Sequence, residues 1–310
     1  MLGGNFMKKI KEVNIYFLII MLLQLFLPVY ILFRALNIND VRLMLSINHM
    51  IIFIVPAIIY LLITKQSPKK VLRLNKIHIK DVLIVICLAF VCQPIMTFFS
   101  LISQFFFENE IGNFVGQIVS TPYWILLLLI AVLPAITEEI TIRGIVLSGY
   151  NNKNIYVACI ASGLLFGIMH LDPQQFLYAT ALGFVLALVV RITDSIFASV
   201  IMHFIINGTS ITVQKVVSFL PTTIDSELSL KAISLGEKLV LAFQYGCVAI
   251  LFSYLAYLLI KKLKKNNIKR GIIDKESFYG LENKESVFNV YFIFIIGIYL
   301  LVMIRQVVLT

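Results

Sequence analysis

The chain has 310 residues, of which 60% are hydrophobic and 14% charged, and a mean hydropathy of +0.96. Ordinary soluble domains run near about 45–50% apolar, which excludes that class and leaves an all-α, polytopic transmembrane helix bundle as the expected fold. The net charge of +10 calls for no nucleic acid partner, because the basic residues alternate with apolar runs as they do along a multi-pass protein of the cell membrane.

The first apolar run, 13–33, follows Lys8, Lys9 and Lys11 as a signal peptide would. It is longer than a signal core, and Arg34 and Asn37 follow it in place of a small-residue cleavage site, so a retained first helix is expected. Further runs cover 43–64, 81–107, 122–149, 155–170, 175–191, 193–208, 238–260 and 287–309. The fifth, sixth and seventh are short. The expected count is therefore eight or nine membrane helices, eight if two short ones form a broken or re-entrant pair. Pro28 and Pro56 fall inside apolar runs and can kink them.

With the N-terminus inside, most of the 26 Lys and Arg residues fall in inner segments, including Lys65 to Lys80 and Lys261 to Lys284. That is the positive-inside pattern, and it sets the basic face against anionic lipid. Cys87, Cys92, Cys159 and Cys247 all sit in apolar segments without metal-site spacing, as buried small hydrophobes do. Residues 1–310 read as a single integral membrane domain. Within it, 1–80 is a two-helix extension with a basic linker, and 81–208 a core of helices in quick succession. The remainder, 209–310, holds an outer loop at 209–237 with Pro221, Asp225 and Glu227. An inner basic loop with Lys275 and Lys284 and the last helices complete it. There is no internal repeat and no phosphate-binding glycine motif.

Nearly all the polar groups that membrane burial makes expensive lie in 81–208. Glu138 and Glu139 are adjacent, hence about 100° apart on a helix, while Glu139 and Arg143 are four apart and can pair along one face. One carboxylate can thus be held charged by the arginine while the other exchanges a proton. Of four histidines, His49 and His78 lie near segment ends with no polar cluster. His170 ends the fifth run four residues after Phe166, and His203 precedes Asn207 by one turn. Gly163, Gly167 and Gly183 permit close helix contact.

Three chemistries can use this set. A zinc hydrolase could take His170, His203 and a glutamate as ligands, although no HExxH is present. Metal-independent activation of water needs a carboxylate base, a histidine and oxyanion donors, roles that Glu138 with His170 and His203 with Asn207 can fill. A proton-coupled transporter also uses intramembrane Glu and His, but with matched repeats that are not found here. Ser162 and Ser195 stand outside any nucleophile-elbow pattern.

Glu138–Glu139–Ile140–Thr141–Ile142–Arg143 resembles the EExxxR motif of the CAAX-protease and bacteriocin-processing family of intramembrane glutamic endopeptidases, similar to type II CAAX prenyl endopeptidases. Phe166 to His170 matches its FxxxH element and His203 to Asn207 its HxxxN element, in order, over roughly 120–210. The resemblance implies hydrolysis of a peptide bond in a peptide or membrane-protein substrate, cut near its cytoplasmic end. Glu138 would be the base assisted by His170, and His203 and Asn207 would stabilise the oxyanion. Glu139 would tune the pair and Arg143 would hold Glu139. No cofactor is implied, with zinc as the alternative. The Lys-, Ile- and Asn-rich composition has a bacterial style, which weighs against a prenylated substrate. A noncatalytic immunity or scaffolding protein would keep the same motifs. Access from the charged inner side is expected, and the depths of the motif residues require helix tilt or a bend at Pro134 or Gly167.

Overall fold

A computed structural model describes residues 9–220, 230–274 and 285–309; Lys8, Pro221, Asp225, Glu227, Lys275 and Lys284 lie outside them. Regular structure among the described residues is entirely helical. Apart from a single turn at Pro68–Val71, the helices in chain order are α1 (Lys9–Phe26), α2 (Val29–Ala35), α3 (Val41–Thr64), α4 (Ile79–Gln104) and α5 (Glu110–Ile118). There follow α6 (Tyr123–Gly149), α7 (Ile155–Met169), α8 (Pro173–Thr193), α9 (Ile196–Val217), α10 (Leu235–Lys269) and α11 (Val290–Leu309).

Six of them, α3, α4, α6, α8, α9 and α10, are long and apolar enough to cross a membrane. The other predicted runs are helical but fall short for identifiable reasons. α1 opens on Lys9, Lys11 and Glu12, and its run is broken where Pro28, with no N–H to donate, separates it from α2. α7 has 15 residues, about 22 Å of helix against a hydrocarbon core of about 30 Å, and is buried by its neighbours. Two predicted loops are shorter than expected. α9 runs on past 208 to Val217, and α10 carries the basic residues 261–269 on its last turns.

Local chemistry sets the ends. Asp40 caps α3 by accepting the Arg42 N–H at 2.9 Å, and the Arg42 side chain holds its carboxyl down to about 2. The cap therefore stays ionised down to strongly acidic pH and is lost as pH falls through that value. In α3 and α6 a five-residue π turn, Met50–Ile54 and Leu128–Val132, precedes a proline, Pro56 or Pro134. The missing proline N–H interrupts the i→i−4 ladder there.

One end of the bundle is tied together by polar groups. Arg73 bonds the Asn151 side chain, lies 3.2 Å from Asp194 and accepts the Ile196 N–H on its carbonyl at 3.1 Å. Arg191 reaches the carbonyls of Tyr150 and Asn151 at 3.3 Å, and Asp81 takes both Arg270 and Asn267. The start of α4, the end of α6, the α8–α9 turn and the end of α10 therefore meet at this lysine- and arginine-rich end. From it, α1 packs on the second half of α6, where the Tyr150 hydroxyl donates to Asn14 Oδ1 at 2.6 Å and Tyr16 meets Thr141 at 3.4 Å.

α7 and α8 touch backbone to backbone. A Cβ on Gly163 would lie 2.7 Å from the Phe184 nitrogen and 2.8 Å from the Thr180 carbonyl oxygen, and backbone cannot swing aside as a side chain can. Gly163→Val is therefore expected to pry the pair apart at a cost of about 1–3 kcal/mol. The measurement is the thermal unfolding midpoint in detergent; an unchanged midpoint would argue against this contact.

Candidate active site

The two glutamates sit in the short α-helical stretch of α6 between two π-helical ones, Leu128–Val132 before and Ile140–Val146 after. Adjacent on the helix, they point different ways. Glu138 lines a cavity and keeps 12% of its side chain exposed, whereas Glu139 is fully buried. Glu139 Oε1 lies 3.1 Å from Arg143 Nη1 and accepts a hydrogen bond from His203 Nδ1 at 2.9 Å. The expected Glu139–Arg143 pair is present, both side chains at 0% exposure.

His203 comes from α9. A carboxylate oxygen only accepts, so Nδ1 carries the proton and Nε2 faces the other way, 3.9 Å from Glu138 Oε2. Asn207, one turn on, places its Nδ2 3.2 Å from that Nε2 and 3.2 Å from the Ile130 carbonyl. That carbonyl belongs to the residue four before Pro134, whose ring has no N–H to offer it. The two amide hydrogens of Asn207 thus answer a carbonyl freed by proline and an imidazole nitrogen. α6 and α9 are joined through this residue.

α7 contributes Phe166 and His170. His170 Nδ1 donates to the Phe166 carbonyl at 2.8 Å, so in the neutral ring Nε2 is the acceptor. The Phe166 ring lies edge-on to both histidines, at 4.9 Å from His170 and 5.8 Å from His203. Its face receives the Arg143 guanidinium at 4.1 Å. Phe166 thus contacts Arg143 and both histidine rings at once.

A cavity of about 490 Å³ has Glu138, His170, His203 and Asn207 on its wall. The motif residues predicted to act together therefore share one space. His49 shares it too. It lies inside α3, where its Nδ1 donates to Thr137 Oγ1 at 2.9 Å while that hydroxyl donates to the Leu133 carbonyl at 2.9 Å. No spacing in the sequence links His49 to Glu138; only the packing of α3 on α6 does. Ser195 is spent on the Asn75 carbonyl at 2.6 Å, and neither it nor Ser162 lines the cavity.

The rest of the wall is rich in uncharged polar groups: Gln93 and Gln104 of α4, Gln174 and Gln175 of α8, and Gln214 of α9. Most belong to the halves of these helices that lie away from the lysine-rich end. The cavity extends toward that opposite end, contrary to the access expected from the charged side. The reason is in the helices themselves, since α9 continues its polar face through Ser210 and Gln214 past the predicted stop at 208. The zinc alternative does not fit the donors present. Both His203 nitrogens and Glu139 are already engaged, and among the described residues no three His, Cys, Asp or Glu side chains are grouped to hold an ion.

Fold and site together define a polytopic all-α membrane protein with a buried Glu–His–Asn constellation facing an intramembrane cavity. Residues 120–209 match the family described as type II CAAX prenyl endopeptidase, Rce1-like, so that segment of the chain is similar to that family. A curated relative, "Putative membrane peptidase YdiL" of Bacillus subtilis (strain 168), is 30% identical over 84 residues, 27% of this chain. The match spans 34% of that relative, about a third of its length. No solved structure matches the chain.

Proposed function

We propose that the chain is a multi-pass intramembrane endopeptidase that hydrolyses a peptide bond with water activated by Glu138 and His170, without a metal cofactor. The observation that carries this reading is the division of labour within the glutamate pair. Glu138 faces the cavity, while Glu139 is turned away and committed to His203 and Arg143. Glu138 would take a proton from water as its oxygen attacks the scissile carbonyl carbon, and would return that proton to the departing amine when the C–N bond breaks. His170, through the acceptor Nε2 of its neutral ring, would help align the water.

The oxyanion would be met by His203 and Asn207. Asn207 holds one N–H on Ile130 and directs the other at His203 Nε2, so a substrate oxygen would compete for that second hydrogen. Glu139 keeps His203 in position for a proton at Nε2, where an imidazolium would be stabilised by the carboxylate behind it. Asn207→Ala is expected to lower kcat by about 10²–10³-fold with a smaller change in KM, measured by steady-state cleavage of a defined peptide.

The glutamines on the wall support a substrate held in extended form, because side-chain amides can answer the backbone groups of a peptide removed from water. They also favour entry from the end opposite the lysines. With eight or nine crossings and the N-terminus inside, that end is the non-cytoplasmic one. The catalytic core is 81–208, with His49 of α3 at its edge.

The test is to reconstitute the purified chain in liposomes with a peptide pool and identify products by mass spectrometry. Cleavage by the wild type that persists in chelator, and is absent from the Glu138→Ala protein, is the expected result. Loss of cleavage in chelator would revive the zinc reading. A cellular effect that survives Glu138→Ala would point to a scaffolding or immunity role.

A further inference from the structure

None of the three motifs contains His49 or Thr137, yet the two side chains meet beside the glutamate pair. His49 is the residue of α3 that precedes the π turn Met50–Ile54, and α3 packs there on the Leu133–Glu139 stretch of α6. Thr137 is buried, and its hydroxyl donates to the Leu133 carbonyl at 2.9 Å. That spends its one hydrogen. At the 2.9 Å contact with His49 the oxygen therefore accepts and the ring nitrogen Nδ1 donates. The ring rests against Phe53, with 5.4 Å between centroids.

Thr137, Glu138 and Glu139 follow one another at about 100° around the helix. Thr137 and Glu139 thus face nearly opposite ways, with Glu138 between them. Both outer residues are held, Thr137 by His49 of α3, and Glu139 by Arg143 and by His203 of α9. The middle one is left to the cavity. A grip matters here because this stretch lies between two π-helical ones, Leu128–Val132 and Ile140–Val146. A π turn holds one residue more than an α turn, and a shift of that extra residue along the helix turns the segment it passes by about 100°. Such a turn would put Glu139 or Thr137 where Glu138 now faces the cavity.

We propose that His49 is a positioning residue for the base: its hydrogen bond to Thr137 clamps the rotation of this stretch from the α3 side and so holds the Glu138 carboxylate in the cavity. A plain tie between two membrane helices is the simpler account of such a contact. It gives no reason for the tie to fall on the residue before the base, between two π turns and across the helix from the grip on Glu139. The role of Glu138 as base rests on the peptidase reading; the clamp on its direction does not.

The experiment has a kinetic arm and a labelling arm, both on the purified full chain in detergent. His49→Phe keeps an aromatic ring and removes the donor, and the Thr137 hydroxyl still has Leu133, so no buried donor is stranded. It should lower kcat for a cleaved peptide by about 10–10²-fold with little change in KM. Thr137→Val should do the same, and the two together should cost no more than either alone. His49→Asn, whose Nδ2 can stand where Nδ1 stood, should recover most of kcat. His49→Gln, with its amide one bond further out, should not. In the labelling arm, the thiol introduced by Glu138→Cys is modified with a small water-soluble reagent and read by peptide mass spectrometry, apart from the native cysteines. Its labelling should be lost when His49→Phe is added and kept with His49→Asn.

Unchanged kcat in His49→Phe, additive losses in the double variant, or rescue by Gln in place of Asn would overturn the clamp. Labelling that is absent from the parent, or that His49→Phe leaves unchanged, would do the same. If the wild type cleaves no peptide, the peptidase reading fails, and the labelling arm still decides whether His49 aims the Glu138 position.

Discussion

Glu138→Gln is expected to lower peptide cleavage by about 10²–10⁴-fold while leaving the thermal unfolding midpoint in detergent unchanged. The amide keeps the shape of the carboxylate and can still hydrogen-bond, but it cannot take a proton from water. Glu138 lines the cavity, and its nearest buried neighbour, His203 at 3.9 Å, keeps Glu139 on its other nitrogen, so removing the Glu138 charge does not leave that ring unpaired. The comparison that isolates the base is Glu139→Gln. That change should also reduce cleavage, since His203 loses the charge behind it, but it should shift the unfolding midpoint as well because Arg143 is left without its carboxylate. Equal stability effects from the two substitutions would contradict the assignment of separate roles, and full activity in Glu138→Gln would sink Glu138 as the base.

Arg143→Met should be among the most destabilising single changes in the chain, by about 3–5 kcal/mol. Arg143 is fully buried against Glu139 and the Phe166 ring, so its loss leaves a carboxylate in a low-dielectric interior without its one close guanidinium, His203 remaining beside it. Methionine fills much of the volume, which makes the effect electrostatic more than a cavity effect. The check is a double-mutant cycle. Glu139→Gln with Arg143→Met removes both charges and should recover part of the stability lost in Arg143→Met alone, read as unfolding midpoints. Strict additivity of the two changes would mean that the pair does not couple. Activity should not recover in the double variant, because the charge behind His203 is still missing.

The membrane class was legible because burial in lipid leaves a chain few choices: long apolar runs must become helices. The site was legible to a lesser degree. Glu139 with Arg143, Phe166 with His170 and His203 with Asn207 are each four residues apart, and a helix turns such spacings into neighbours without help from the rest of the fold. Every contact inside a motif could be written from the sequence. His203 to Glu139, Asn207 to the Ile130 carbonyl, and Phe166 to Arg143 could not, because each crosses between helices. His49 shows the limit most directly. It stands in α3, far along the chain from Glu138, and spacing has no means of bringing it to the cavity wall.

By itself the sequence determined the class, the positions of the apolar runs, the lysine-rich end and the three pairs of motif residues, all set by local periodicity and by the cost of charge in lipid. The tertiary structure alone decided which glutamate faces the cavity and which end of the bundle the cavity extends toward. It also decided that π turns and a proline-freed carbonyl lock α6 to α9. Adjacent residues on a helix differ by about 100°, so the choice between Glu138 and Glu139 belongs to whatever packs on each side. Here Arg143, Phe166 and His203 pack on one side and leave Glu138 to the other.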